Sequence, residues 1–212
     1  PDDQGVWYDD DVGLAHTRLS ILDLSLAGHQ PLQSVTGRYV IVFNGEIYNF
    51  RELKRDLRFG RRGEPQWLSS SDTEVLVEAI DHWGLSAAVS KAVGMFAFAV
   101  WDRFEQRLSL VRDRFGEKPL YYWRSADGAI TFASELRALR NSDLVPSEIN
   151  LNALAAYMLL GTIPADLSII AGVEKVPPGW IYSFSCTGTV TQHSIACDRS
   201  QYWDVEQHLG DD

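Results

Sequence analysis

The chain of 212 residues and 23.8 kDa is 45% hydrophobic and 11% aromatic, which allows a sizeable buried core and excludes disorder over most of its length. Its formal net charge of −10 and pI of about 4.9 exclude nucleic acid as a natural partner, because an acidic surface repels a phosphate backbone. The length suits one large domain or two small ones.

From the N-terminus, residues 12–22 (VGLAHTRLSIL) mix β-branched and alternating apolar residues and predict a strand running into a loop. Residues 37–48 (GRYVIVFNGEIY) hold a continuous apolar run from Tyr39 to Phe43, as in a strand covered on both faces. Asn44-Gly45 directly after it reads as a turn, since both residues tolerate positive φ. Residues 50–59 (FRELKRDLRF) are helical in propensity, and Gly, Pro and Ser break the pattern over 61–71. Ser71 then caps a helix, Glu74 three residues on completes a capping box, and Val75, Leu76, Ala79, Ile80 and Trp83 form one apolar stripe. Gly84 is placed for a left-handed C-cap. Residues 94–102 (GMFAFAVWD) predict a second buried strand. With 107–113, 119–123 and 129–135 it predicts a four-stranded antiparallel meander. Residues 149–161 predict a helix capped by Asn150, 176–184 a turn into a strand, and the polar tail an end that frays or links onward. Helices flank blocks of strands with little βαβ alternation, which points to an α+β fold with antiparallel sheets covered by helices.

Cys186 and Cys197 make neither a secreted disulfide framework nor a zinc motif. The histidines (His16, His29, His82, His193 and His208) are scattered without ligand spacing, and no metal is expected. No apolar run approaches the ~18–20 residues of a membrane span, and no signal peptide is visible, so no membrane partner and a cytoplasmic location are expected.

Several motifs accumulate in order: HTRLSILDLSLAGHQP from His16, FNGEIYNFRELK from Phe43, SDTEVLVEAIDHWG from Ser71, GMFAFAVWD from Gly94 and LVRDRFGEKPLYYW from Leu110. FASELRAL, GTIPADLSIIAGVEKVPPG and YWD follow. This set, over roughly Pro1 to Asp204, closely resembles the glutaminase domain of glutamine-hydrolysing asparagine synthetases, class II glutamine amidotransferases of the N-terminal-nucleophile hydrolase type. The resemblance implies a four-layer αββα sandwich of two antiparallel sheets. It implies an amidotransferase domain over 1–204 and a linker over 205–212 toward a synthetase domain. Family members begin Met-Cys-Gly-Ile, lose the Met and use the exposed Cys as nucleophile. That Cys precedes Pro1, so the chain alone is expected to be inactive. Glutamine, the synthetase domain of the same polypeptide and a homodimer are the implied partners. No cofactor is expected in this domain, and ATP and Mg are implied for the synthetase domain.

Glutamine hydrolysis is acyl transfer from a primary amide and needs a thiolate, a base, an oxyanion hole and a clamp for the α-carboxylate and α-ammonium. By the resemblance, Arg18 grips the carboxylate, for which a planar guanidinium fork is suited. Glu46 and Asp72 hold the ammonium, and the Asn44 amide and Gly45 N–H form the oxyanion hole. Each residue also has a plainer reading. Arg18 is equally read as a surface ion-pair partner, Glu46 as a solvated turn residue, and Asp72 as a carboxylate favoured at a helix N-terminus. Arg112, Asp113 and Lys118 are expected to tie loops together, and His16 and His29 to bond backbone rather than move protons. The function these residues imply is release of ammonia from glutamine for ATP-dependent amidation of aspartate. Two alternatives stand beside it: amidation of a sugar or secondary-metabolite carboxylate, and a non-catalytic glutamine-binding module.

Overall fold

The computed structural model describes residues 2–18, 28–60, 67–187 and 194–208. The loop predicted at 19–22, part of the break at 61–66, His193 and residues 209–212 lie outside them, as do the side chains of Cys186 and His208. The elements in order are β1 (Asp3–Tyr8), β2 (Gly13–Arg18), β3 (Leu32–Gln33), β4 (Tyr39–Ile47), α1 (Phe50–Gly60), α2 (Asp72–Trp83), α3 (Leu85–Lys91) and β5 (Gly94–Asp102). Then come β6 (Arg107–Arg112), β7 (Tyr121–Arg124), β8 (Ile130–Ala133), α4 (Leu136–Arg140), α5 (Leu151–Leu160), β9 (Val173–Lys175), β10 (Trp180–Thr187) and β11 (Ser194–Gln201).

All strand pairs are antiparallel. Where two sheets are expected, the described strands hydrogen-bond as three: β1-β2, a six-stranded sheet in the order β11-β10-β6-β5-β4-β3, and β8-β7-β9. The large sheet is apolar on both faces because each side of its pleat enters a core. Tyr39, Ile41, Phe43 and Ile47 of β4 pack with Leu53 and Leu57 of α1 and with α2 and α3. Val40 and Val42, on the other face, pack with Leu14 of β2, Tyr122 of β7 and Phe184 of β10. A third cluster joins Leu139 of α4 to Val145, Ile170 and Val173.

Four local expectations change. The meander breaks after β6, which pairs with β10 while β7 pairs with β8 and β9. The loop between them redirects the chain because its backbone is bound inward. The Asp113 carboxylate, 1% exposed, accepts N–H bonds from Phe96, Phe115, Glu117 and Lys118 at 3.0–3.2 Å. Arg112 donates to the carbonyls of Gly116, Lys118 and Val176 at 2.8–2.9 Å. Arg112 and Asp113 thus tie this loop as expected, and Lys118 joins through its backbone. Second, the capping box is half formed. Ser71 Oγ accepts Glu74 N–H at 3.2 Å, but the Glu74 carboxylate reaches past the cap to Leu68 N–H and Ser69 N–H at 2.7 and 2.8 Å. Third, Gly84 has φ +82° but ψ 159°, outside the left-handed helical region, because α3 starts at once and Gly84 also serves as its N-cap. Fourth, Asn44-Gly45 is strand and not turn, with Asn44 opposite Ala97 and Gly45 opposite Phe96.

Helix α5 is capped as expected, the Asn150 side chain accepting from Asn152 and Ala153 N–H at 3.1 and 3.2 Å. Ala153 is its buried residue, while Leu151, Met158, Leu159 and Leu160 stand exposed. No helix among the described residues is long and apolar enough to cross a membrane.

Candidate active site

The site is built at the C-terminal end of β4. There the chain leaves the sheet edge toward α1, and Asn49 fixes the exit: its side chain donates to Lys91 C=O at 3.0 Å and accepts from Val93 N–H at 2.9 Å. Gly45, at φ +155°, is required by close approach of β5. A Cβ added there would lie 2.6 Å from Phe96 Cα and 2.9 Å from Phe96 Cβ, and closer still to the Met95 carbonyl oxygen. Gly94 on β5 makes the reciprocal approach possible, since its Cβ would fall on the Glu46 carbonyl.

The direction of the backbone groups follows from hydrogen bonding. Both polar groups of Phe43 point away from β5: its N–H donates to Gln30 Oε1 at 2.6 Å, and its C=O accepts from His16 Nε2 at 3.0 Å. In a strand the outward rungs recur every second residue, so Ile41, Phe43, Gly45 and Ile47 all face the outer edge. Ile41 lies opposite Leu32 of β3, and Ile47 N–H donates to Asp72 Oδ2 at 2.8 Å. Gly45 is the outward rung for which no partner is found among the described residues.

The side chains alternate correspondingly. Asn44 and Glu46 share the pleat face of Val40 and Val42. Over that face runs β2. Leu14 packs with Val40 and Val42, His16 bonds Phe43 C=O, and Arg18 lies two residues further along the same face of β2. Arg18 is buried, 9% exposed at its strand end opposite Asp3, and its guanidinium lies against Gly28, where a Cβ would come within 2.7 Å of Cζ. Strand β2 thus carries Arg18 toward the end of β4 that presents Asn44 and Glu46.

Asp72 enters from the N-terminus of α2 and is 5% exposed. Burial pushes its carboxyl above the usual carboxylate range, the Glu46 negative charge adds to this, and the Ile47 N–H bond opposes it. The plainer reading of Asp72 as a helix N-terminal carboxylate is compatible with this geometry, because it sits directly after the Ser71 cap. His16 donates through Nε2, because a carbonyl can only accept, and burial pushes the imidazole pKa below its usual value while the Phe43 carbonyl bond opposes this. His29 bonds the Asp3 carboxylate at 2.6 Å and not backbone as expected. Gln30 is the residue sequence reasoning missed. Two concavities lie elsewhere: one of about 560 Å³ lined by Arg38, Arg103 and Phe104, the other of about 320 Å³ lined by Tyr121, Tyr157 and Lys175. Cys197 on β11 is four inter-strand steps from β4, about 19 Å at the usual strand spacing, and is too distant to attack a group at Gly45.

Among curated proteins, asparagine synthetase [glutamine-hydrolyzing] 1 of Bacillus subtilis is 40% identical over 193 residues, covering 90% of this chain and 29% of that protein. Amidase chry2 of Gibberella zeae is 42% identical over 216 residues, covering 97% of this chain and 28% of that protein. The chain spans less than a third of the length of these relatives. Among solved structures, glutamine phosphoribosylpyrophosphate amidotransferase from Bacillus subtilis superposes with a TM-score of 0.56 at 20% identity, covering 90% of this chain and 35% of that one. That likeness carries the fold alone. The sequence pattern of the glutamine amidotransferase domain matches residues 1–203. With that match spanning nearly the whole chain, the protein belongs to the class II glutamine amidotransferase domain family.

Proposed function

We propose that this chain is the glutamine-hydrolysing domain of a glutamine-dependent asparagine synthetase. The observation that carries the reading is the open Gly45 rung, flanked by Asn44 and Glu46 on the face over which β2 brings Arg18. In this reading a cysteine thiolate at the N-terminus of the intact polypeptide adds to the side-chain amide carbon of glutamine. The Asn44 amide and Gly45 N–H stabilise the oxyanion. Ammonia leaves, and water hydrolyses the thioester to glutamate. Arg18 holds the α-carboxylate, and Glu46 and Asp72 hold the α-ammonium. The raised carboxyl of buried Asp72 suits a group that a bound ammonium would return to its charged form. The ammonia passes to a synthetase domain that uses ATP and Mg to activate aspartate. An αββα arrangement over 1–204 and a linker over 205–212 belong to the same proposal. Its support is the large sheet, cored on both faces and carrying helices on one.

A second reading is amidation of a different carboxylate, favoured by the 42% identity to a protein named an amidase. The test supplies the intact polypeptide with amide-labelled glutamine, ATP, Mg and aspartate. Labelled asparagine is expected. Label released as ammonia with no asparagine, even when ammonium is added directly, removes aspartate as acceptor and leaves the second reading. Absence of any glutamine hydrolysis leaves a non-catalytic binding module.

A further inference from the structure

The outer edge of β4 is closed by side chains where a strand would otherwise lie. Strand β3 has two residues, Leu32 and Gln33, paired with Ile41 and Val40. Beyond it, Gln30 Oε1 takes Phe43 N–H and His16 Nε2–H takes Phe43 C=O. Further on, Asp72 takes Ile47 N–H. We propose that Gln30 and His16 are positioning residues for the oxyanion hole. By occupying both polar groups of Phe43 they fix the peptide that leads into Asn44, and they leave the Gly45 N–H as the open rung. This rests on the reading of the chain as a glutamine-hydrolysing domain.

The two clamps are themselves built in. Gln30 is 7% exposed, and its segment lies directly on β1. A Cβ at Gly5 would fall on the Gln30 carbonyl oxygen and 2.5 Å from His29 Nε2. The His29–Asp3 pair at 2.6 Å ties the same segment to β1. His16 comes from β2, opposite Gly5. The pair thus transmits the placement of β1 and β2 to a peptide on a different sheet. Neither side chain reaches the reacting atoms in this role. Their effect is on the geometry of Asn44 and Gly45.

The test uses the full-length polypeptide and two pairs of variants. Gln30→Met keeps side-chain length without an acceptor, and Gln30→Glu restores the acceptor. His16→Leu removes the donor, and His16→Gln restores an N–H at similar reach. Gln30→Met and His16→Leu are expected to lower kcat for glutamine hydrolysis ~10-fold, short of the ~10²–10³ for deleting a donor outright. KM should stay within about twofold, because the α-carboxylate and α-ammonium clamp is untouched. The Glu and Gln variants should recover most of the loss. Unchanged kcat in the Met and Leu variants, or no recovery in their partners, overturns the proposal. Amide hydrogen exchange supplies a readout that needs no turnover. Phe43 N–H should be protected in the wild type and released by Gln30→Met, with Gly45 N–H fast in both. Protection of Gly45 in the wild type overturns the open rung. A wild type that hydrolyses no glutamine defeats the functional reading instead, and the exchange pattern then decides the geometry alone.

Discussion

Replacing Gly45 by alanine tests the strand geometry and the chemistry together. The added methyl would stand 2.6 Å from Phe96 Cα and 2.9 Å from Phe96 Cβ, against backbone that cannot give without parting β4 from β5. A positive φ of this kind costs ~1–3 kcal/mol in a residue with a side chain, and overpacking adds ~1–3 kcal/mol. The sum, ~2–6 kcal/mol, is a large share of the ~5–15 kcal/mol that holds a typical domain folded. Urea titration of the 212-residue chain, followed through its seven tryptophans, should show the midpoint fall by about 0.7–3 M at an m-value of ~2–3 kcal/mol/M. Glutamine-dependent turnover of the intact polypeptide should fall by ~10²–10³, because the 45 N–H is displaced with the strand. A loss of stability below the ~0.5 kcal/mol of an ordinary surface substitution refutes the close approach.

Asn44→Ala should lower glutamine-dependent turnover by ~10²–10³ while ammonia-dependent turnover persists, as measured with each nitrogen source in turn; equal loss of both counts against an oxyanion role. Asp72→Asn keeps an acceptor for Ile47 N–H and removes a buried charge, so it should leave the fold as stable or more so near neutral pH while raising the glutamine KM. The sign follows from the raised carboxyl pKa: the wild-type penalty is absent below the unfolded value of 3.8 and grows as pH rises through the folded value, so the stability gap between the two proteins should close on acidification. Asp113→Ala strips the acceptor from four N–H groups, and a loss of more than about 3 kcal/mol is expected in denaturant titration. Met158→Lys with Leu159→Lys, both on the exposed apolar surface of α5, should reduce self-association of the 212-residue chain in light scattering without lowering its midpoint.

Elements with local signatures were legible. Residues 94–102 form β5 over the predicted span, and Ser71 caps α2 where the Ser-Asp-Thr-Glu pattern places it. Signals that depend on a distant partner were not. Asn44-Gly45 carries strong turn chemistry, yet β5 pairs with it residue by residue and holds it extended. Strand β11 is polar and mostly exposed at a sheet edge, and α3 and α4 are too short for a helical period, so none of them announces itself. Arg18, Asn44, Gly45, Glu46 and Asp72 were named through family resemblance; composition alone gave each a plainer reading. The backbone bond of His16 was anticipated. The acceptor role of Gln30 was not, because a side chain that bonds a peptide 13 residues away leaves no pattern in sequence.

The outer edge of β4 also bears on what else can bind there. An exposed strand edge invites another strand, and a peptide added by β-augmentation needs a run of alternate rungs to bond. Here β3, Gln30, His16 and Asp72 take the rungs on either side of Gly45. With one unbonded rung among the described residues, this edge offers no ladder to an added strand, which makes it a poor template for an extended polypeptide or for the edge of a second copy.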